Sequence, residues 1–512
     1  MAAGSSGDLS FPHDYYLSTM NDFGVLSVLP PLLAIILALR TRQVYISLVL
    51  GIWLGWLIIS DWNPIQGTLA TLEGFVEVFK SPGNTRTIMF SALVGALLIF
   101  IQYSGGVRGF IVRIDKMLNS MEQRKIGKSR VVVELLALLI GVLLFIETSI
   151  SSLTVGTLFR PVFDRLKIPR EKLAYIADSS SAPSSILIPF NAWGAFIMGL
   201  LLTQGIDSPF RTMISAMAYN FYPMLTIMMV FVVVVSRKDF GPMARAERRA
   251  RETGKLLNDG ARPMVSDEVT SYEMKEGIRP RAMNMVIPLL TMVVMMIVFL
   301  AYTGWGEVEK SSGFLNHLTS AMGRGSGSAA VLYSVTTSIV VAMILYRAQG
   351  IMKVRKMVSL ILKGISELMP LALLMMLAFS ISHVCNTLGT GQYVAGITEG
   401  WLSPALLPAV VFILSSFIAF STGTSWGTFA IMISIALPMA EMHGANLFLV
   451  VAATMGGGVF GDHCSPISDT TMISSMASAS DHIDHVRTQM PYALLTGTIT
   501  VVIYLLLGFI TT

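Results

Sequence analysis

Long apolar stretches recur along the chain, separated by short polar segments that carry most of the basic residues. A helix needs roughly 17–25 apolar residues to cross the hydrocarbon core of a bilayer. The pattern therefore predicts an all-α polytopic membrane protein. The predicted spans are Val25–Leu39, Val44–Ile59, Ile88–Tyr103, Met213–Val235, Met283–Thr303, Ala329–Tyr346, Ile365–Val384 and Tyr492–Ile510.

Two further stretches consist of paired apolar arms around a polar tip, and each arm is predicted to be too short to cross. Both are therefore expected to be re-entrant hairpins. The first has basic residues at both ends and is expected to enter from the cytoplasm, whereas the second has none and is expected to enter from outside. The arms are Val131–Phe145 with Leu153–Phe163, and Pro404–Phe420 with Phe429–Ala440.

Two long apolar segments, 171–203 and 446–480, contain clusters of small residues. Helix breaks are predicted at Asp178–Pro183 and Gly456–Gly458, because serine, proline and glycine favour unwinding within a membrane helix. Pro189-Phe-Asn191 and Pro466-Ile-Ser468 follow the two hairpin tips at similar distances. This spacing predicts two inverted repeats, each of about five spans plus one hairpin, with the tips and breaks meeting near the midplane.

The distribution of charge sets the expected domain organisation. Residues 1–24 contain no Lys or Arg and are predicted to be periplasmic. The first repeat is assigned to 25–235 and the second to 282–512. Between them, 236–281 holds eleven Lys/Arg and eight Asp/Glu, and is expected to be a solvated cytoplasmic linker. The expected location is a bacterial inner membrane.

Composition narrows the function classes. Apolar residues make up 53% and charged residues 13%, with mean hydropathy +0.67, which excludes a set of soluble domains. No phosphate-binding loop, dinucleotide fingerprint or catalytic triad spacing is found, so neither an enzyme nor an ATP-driven pump is expected, and no cofactor. The basic residues do not form a nucleic-acid face, and two cysteines do not make a disulfide scaffold.

The segment Gly461-Asp-His-Cys-Ser-Pro-Ile-Ser-Asp-Thr-Thr471 is the densest group of candidate ligands. Carboxylates at membrane depth are costly, so Asp462 and Asp469 are expected to handle sodium or protons, with Ser465 adding a hydroxyl. Asp469 has an alternative interpretation as a helix N-cap. A zinc site at His463-Cys464 is not expected, and Asp481–His485 is interpreted as a solvated loop.

The hairpin tips and the first predicted break add further candidates for ion or substrate binding. Their hydroxyls, carboxylates and amide suit a cation or a polar solute, and turning or capping is the structural alternative for each. These candidates are Glu147, Thr148, Ser149, Asp178, Asn191, Gly423, Thr424 and Ser425.

The segments "GDHCSPISDTT" and "ADSSSAPSSILIPFNAWG" resemble the NhaC-type sodium/proton antiporter family of the ion transporter superfamily. The resemblance implies a homodimer working by an elevator movement. It also implies sodium sites formed by hairpin tips and broken helices, here with Thr424, Ser425, Asp462 and Asp469 as sodium ligands.

The expected function is secondary active sodium/proton antiport, with sodium as the coupling ion. The alternative is sodium-coupled symport of a small amino or carboxylic acid, whose pocket Trp193 and Trp426 would line.

Overall fold

The structure is a computed structural model, and it describes residues 23–41, 43–123, 130–145, 147–263, 277–307, 313–400 and 402–511. Most of the predicted periplasmic segment 1–24 lies outside these residues. Within them the chain is helical, and no strand is present.

The first half of the chain and the described part of the linker contain twelve helices. They are α1 (Leu29–Thr41), α2 (Val44–Ile59), α3 (Pro64–Lys80), α4 (Pro82–Tyr103), α5 (Gly106–Gln123), α6 (Arg130–Leu143), α7 (Thr148–Arg165), α8 (Arg170–Leu187), α9 (Ala192–Thr203), α10 (Pro209–Met217), α11 (Phe221–Ser236) and α12 (Gly241–Thr253).

Ten helices follow in the described part of the second half. They are α13 (Met283–Gly304), α14 (Phe314–Arg324), α15 (Gly327–Ala348), α16 (Val354–Thr387), α17 (Thr390–Thr398), α18 (Leu407–Thr422), α19 (Ser425–His443), α20 (Leu447–Cys464), α21 (Asp469–Ser478) and α22 (His482–Thr511).

Eight helical runs among the described residues are long and apolar enough to cross a membrane, so the protein is a multi-pass membrane protein. The predicted spans in α4, α13, α15, α16 and α22 are among them. Predicted span Met213–Val235 lies within the candidate span Pro209–Thr253, but it is interrupted, because α10 ends at Met217 and α11 begins at Phe221. The helices α1 and α2 are shorter, at 13 and 16 residues.

Both predicted hairpins are present as pairs of helices with tight turns at the expected tips. The first pairs α6 with α7, and the second pairs α18 with α19. The predicted arm lengths are wrong for the second arm of each, because α7 has 18 residues and α19 has 19. Length therefore does not exclude that these two arms cross, and α19 is one of the eight candidate spans.

The first predicted break, Asp178–Pro183, is wrong: α8 runs through it without interruption. Its serine hydroxyls donate to carbonyls three or four residues earlier in the same helix, as Ser181 does to Asp178 and Ser184 to Ser180. These bonds satisfy the polar groups without unwinding the backbone. The chain instead breaks at Ile188–Asn191, where α8 and α9 meet at a bend of 42°.

The second predicted break, Gly456–Gly458, is wrong as well. The glycines lie inside the continuous helix α20, and they allow α18 to approach closely. A Cβ on Gly457 would lie 2.5 Å from the carbonyl oxygen of Phe412. The chain breaks later, at Ser465–Ser468, between α20 and α21. The segments Pro189–Asn191 and Pro466–Ser468, whose spacing from the hairpin tips predicts the repeats, therefore lie at the observed breaks.

The helices pack in two groups. In one, α4 packs against α15 and α16, α13 against α15, and α1 against α2. In the other, α18 and α19 pack against α20, and α7 and α8 pack against α21, so hairpins and broken helices lie together. Contacts of α9 with α4 and of α16 with α19 join the groups. The second group holds every candidate site residue.

The helix α12 of the linker packs on the bundle and is not solvated all round, which corrects the expectation for this part, whereas most of residues 251–260 are exposed as expected. The apolar side chains of Met243, Ala246 and Ala250 on α12 are buried against the second group. At its far end the backbone N–H of Arg262 donates to Asp481 over 2.8 Å. Burial raises the pKa of the Asp481 carboxyl, but this and other backbone hydrogen bonds outweigh it and hold the pKa below its usual range.

Candidate functional site

The tip of the second hairpin lies directly on the second break. Gly423 ends α18 with φ of 69°, a left-handed conformation that glycine adopts without strain. A Cβ at this position would lie 2.8 Å from the carbonyl oxygen of Ile467, so the absence of a side chain allows the contact. The Ser465 hydroxyl donates to the carbonyl of Phe420 over 2.7 Å. Tip and break thus form one continuous surface of backbone and hydroxyl oxygens.

Asp462 faces this surface from the last turn of α20. Its side chain is almost fully buried, and its Oδ2 accepts a 3.0 Å hydrogen bond from the Ser425 hydroxyl. Its Oδ1 is buried and has no hydrogen bond from any described residue. A buried carboxylate is unstable as a bare anion, so this oxygen fits a proton or a cation.

Two of the predicted sodium ligands make no hydrogen bond to Asp462, although the charge of Asp469 is near enough to that of Asp462 for the two to repel each other. Thr424 precedes α19, and it lines a narrow cavity between the hairpin and the helices α1 and α2. Asp469 is the first residue of α21, exposed, with its Oδ1 accepting from the N–H of Thr470 over 2.8 Å. The N-cap is Ser468, so the capping interpretation of Asp469 is wrong in position. Its charge still interacts favourably with the positive end of the helix dipole.

The tip of the first hairpin lies on the first break in the same manner. Glu147 caps α7, with Oε2 accepting from the N–H of Ile150 over 2.7 Å. The Asn191 amide donates to the carbonyls of Phe145 and Ser185, at 3.1 and 2.8 Å. Its Oδ1 accepts from the N–H of Gly194, which caps α9. Asn191 is therefore a structural clamp between tip and break.

Thr148 and Ser149 begin α7 at this tip, Thr148 buried and Ser149 partly exposed. One turn further, the hydroxyl of Ser152 is 2.9 Å from that of Ser181 on α8. The charge of Glu147 is close enough to that of Asp469 for the two to repel each other. The helix α7, which begins at this tip, also packs against α21, which begins at the second break.

Asp178 is the centre of a second buried polar group. It lies in the middle of α8, so it does not cap a helix. Gln489 donates to its Oδ2 over 2.8 Å, and the hydroxyls of Thr471 and Ser474 lie 3.4 and 3.3 Å from its oxygens. The carboxylate is fully buried, which makes these donors necessary.

Two histidines flank this carboxylate. His485 Nε2 lies 3.6 Å from Asp178 Oδ2, and His463 Nε2 lies 3.9 Å from the same atom. The His463 ring also lies within hydrogen-bond distance of Ser179, at 3.1 Å, and of Tyr222, at 2.8 Å. A carboxylate between two imidazoles can store and pass a proton.

The interpretation of Asp481–His485 as a solvated loop is therefore wrong for its histidines. His485 is buried, and His482 Nε2 lies 2.7 Å from the carbonyl oxygen of Pro466 in the second break. The missed signal is spacing: His482, His485 and Gln489 lie three and four residues apart, on one face of α22.

The two tryptophans pack against each other. Trp193 and Trp426 lie with ring centroids 5.1 Å apart, and Phe196 and Phe429 complete an aromatic cluster around them. Among the described residues, no cluster of three or more His, Cys, Asp or Glu side chains suits a metal ion of the kind held by such ligands. The oxygens of the tips and breaks are the groups available for ions.

A multi-pass helical protein with buried carboxylates at paired hairpins and helix breaks belongs to the class of membrane transporters. The sequence matches the Na+/H+ antiporter family over residues 206–509, and the chain belongs to that family.

Several proteins are similar to this chain over all or part of its length. A Haemophilus influenzae protein described as uncharacterized is 33% identical over 98% of this chain and 94% of its own length. A malate-2H(+)/Na(+)-lactate antiporter of Bacillus subtilis is 32% identical over 21% of this chain and 23% of its own. An arginine/ornithine antiporter of Halobacterium salinarum is 32% identical over 21% of this chain and 22% of its own.

The fold is similar to that of the YdaH transporter of Alcanivorax borkumensis, with a TM-score of 0.55 and 13% identity. The similarity covers 86% of this chain and 89% of that one.

Proposed function

We propose that the protein is a secondary active transporter that exchanges sodium for protons across a bacterial inner membrane. The observation that carries the proposal is the Asp462 carboxylate, nearly fully buried, bonded to Ser425 on one oxygen and without a hydrogen bond on the other. An uncompensated charge there costs several kcal/mol, on the order of magnitude found for buried ions. Either sodium or a proton removes that cost.

Competition between the two ions for one carboxylate is sufficient for exchange. Sodium would bind the Asp462 oxygens together with hydroxyl and carbonyl oxygens of the Ser465–Ser468 break and the hairpin tip, since hard cations prefer oxygen ligands. A proton would neutralise the same carboxylate on the return step. Asp178, between two histidines, would exchange that proton with the cytoplasm.

The test measures the luminal pH of proteoliposomes after a sodium gradient is applied, with no organic solute present. Antiport predicts that an inward sodium gradient alkalinises the lumen, because protons leave as sodium enters. A lumen whose pH does not respond to sodium, in vesicles with correctly folded protein, would contradict the proposal.

The alternative is sodium-coupled transport of a small amino or carboxylic acid. Its support is the partial similarity to two antiporters whose names include malate, lactate, arginine and ornithine. The rings of Trp193 and Trp426 pack against each other, with centroids 5.1 Å apart, which leaves less room between them for such a solute. Sodium flux that appears only when one of these four solutes is present would favour the alternative.

We further propose that the halves are inverted repeats and that the protein is a homodimer with an elevator movement. The support is the same order of elements in each half: a hairpin, then a broken helix, at α6–α9 and at α18–α21. The group with the hairpins would move against the other, and the dimer contact would lie on the latter.

A cysteine pair tests the movement. A Cβ on Gly83 of α4 would touch the side chain of Leu202 on α9, so Gly83→Cys with Leu202→Cys joins the two groups. Cross-linking should stop transport, and reduction should restore it. Undiminished transport by the cross-linked protein would exclude a movement between these groups.

A further inference from the structure

A buried ionic network joins the linker to the transport helices. Its centre is the Lys172 ammonium at the start of α8, with Nζ 2.9 Å from Asp239, 3.2 Å from Glu247 and 3.5 Å from Glu134. Arg130 contacts Glu247 at 2.9 Å. The Lys172 side chain is 5% exposed, and the three carboxylates are between 4% and 8% exposed. Charges this buried must balance, or one group must change its protonation state.

The charges do not balance. Two cations, Lys172 and Arg130, face three carboxylates, Glu134, Asp239 and Glu247, which leaves one excess negative charge. Arg249 and Glu171 form a nearby ion pair without net charge, and Asp484 lies near it. This pair therefore does not compensate the excess negative charge of the network.

Among the described residues, no further basic side chain forms an ion pair with the three carboxylates. Tyr492 on α22 donates to Asp239 over 3.0 Å, and Tyr175 on α8 stacks on Tyr492. Neither oxygen of Glu247 makes a hydrogen bond of good geometry with the described residues, despite its ion pairs. Of the three carboxylates, Glu134 has the longest contact with the Lys172 ammonium, at 3.5 Å, so it is the one that an added proton suits best.

We propose that the cluster of Lys172, Arg130, Glu134, Asp239 and Glu247 is a proton-binding site that holds the linker helix α12 on the transport helices. The carboxylates come from both sides of the contact, since Glu134 lies on α6 and Asp239 and Glu247 belong to the linker. The docked network binds one proton. When the linker leaves, the carboxylates reach water and release that proton.

The site makes linker docking depend on pH. A carboxylate whose pKa is higher in the docked than in the undocked state stabilises docking at low pH, and this stabilisation is lost as pH rises. Docking therefore weakens by up to about tenfold per pH unit while the docked cluster keeps its proton. The basic residues around the network place it on the cytoplasmic side, so the linker would respond to cytoplasmic pH.

Hydrogen–deuterium exchange of the full-length protein in lipid nanodiscs tests the proposal. Peptides covering 237–262 are followed between pH 5.5 and 8.5, with exchange corrected for its intrinsic pH dependence. The wild-type protein should show corrected exchange rising by about tenfold or more over the range. Peptides of the helices α3 and α15 serve as an internal reference.

Charge-balancing variants separate a proton site from a merely structural contact. Glu134→Gln leaves two carboxylates for two cations and should make linker exchange independent of pH. Glu252→Gln, on the exposed face of α12, is the matched control and should keep the wild-type slope. If Glu134→Gln does not fold, Asp239→Asn makes the same charge change and should give the same flat profile.

A wild-type profile without a slope would overturn the proposal, as would a Glu134→Gln or Asp239→Asn profile as steep as the wild-type one. A purely structural contact would shift exchange equally at every pH. The measurement needs neither sodium nor transport, so its result is independent of whether sodium/proton exchange is correct.

Discussion

The hydroxyl of Ser425 lies 3.0 Å from Oδ2 of Asp462, although 37 residues separate them in the chain. The contact joins the tip of one helical hairpin to the last turn of a broken helix. Any change that moves the hairpin relative to the break therefore alters the surroundings of the buried carboxylate. Ion binding and hairpin position are linked through this one bond.

Asp462→Asn should abolish sodium-dependent transport while leaving the fold intact. Asparagine keeps the shape and the hydrogen bond from Ser425, but it removes the charge that attracts sodium. Sodium affinity is expected to fall by at least about tenfold, or about 1.4 kcal/mol. Sodium protection against thermal unfolding measures the affinity directly. Asp61→Asn, at an exposed turn, is the control, and unaltered sodium dependence in Asp462→Asn would place the ion site elsewhere.

Ser425→Ala should have a smaller effect than Asp462→Asn. It removes one hydrogen bond to the carboxylate, a bond that is already present without sodium, and it leaves in place the charge that attracts sodium. Sodium affinity should fall severalfold, with maximal transport nearly preserved. Ser421→Ala, in the same tip, is the matched control. Equal effects of the two substitutions would mean that the Ser425 hydroxyl has no special role.

Gly423→Ala should impair transport beyond its effect on stability. The left-handed backbone costs alanine about 1–2 kcal/mol, and the added Cβ would meet the Ile467 carbonyl oxygen. Gly444→Ala provides a strict control: φ is 68° there, and nothing lies within 4 Å of the added Cβ. Both variants should lose thermal stability through the backbone, Gly423→Ala more than Gly444→Ala because of the contact with Ile467, and only Gly423→Ala should lose transport. Equal transport by both would show that the tip tolerates displacement from the break.

His482→Ala should weaken sodium binding, although His482 is not proposed as a sodium ligand. The His482 ring is 2.7 Å from the carbonyl oxygen of Pro466 and 3.1 Å from the Ser475 hydroxyl, so it positions the second break. His482→Gln keeps a donor and should restore most of the affinity. Isothermal titration with sodium chloride, against a choline chloride blank, compares the variants. An affinity unchanged in His482→Ala would leave the histidine without a positioning role.

The hairpins, the tips and the residues of the GDHCSPISDTT segment could be predicted because apolar length and polar interruption follow directly from the sequence. The local sequence predicts both helix breaks at the wrong positions. Serines of α8 satisfy their hydroxyls on their own helix, and glycines of α20 make room for α18, which only the packing reveals. Composition favours unwinding in both cases, and tertiary contacts override it.

The Asp178 group could not be found in the same way, because its members are far apart in sequence. Asp178 and Gln489 are 311 residues apart, and the helices that carry them meet only in the folded bundle. The buried linker illustrates the same limit. Eleven basic and eight acidic residues are typical of a solvated loop, and nothing local indicates that Asp239 and Glu247 pair with Lys172.

Asp178→Asn should distinguish sodium binding from proton transfer. It removes the charge that faces His463 and His485 but retains a group that can bond to Gln489, Thr471 and Ser474. Asp462 is unaltered, so sodium should still bind with affinity close to wild type. The proton pathway should be interrupted, because no carboxylate remains between the two imidazoles.

In proteoliposomes, Asp178→Asn should still exchange labelled sodium for unlabelled sodium across the membrane at a rate near that of the wild type. Sodium-driven pH change should fall by about tenfold or more, the usual order for losing a positioned acid–base group. His485→Gln should show the same pattern more weakly, since His463 remains beside the carboxylate. If Asp178→Asn loses sodium exchange and pH change together, the two ions share one site and Asp178 is part of it.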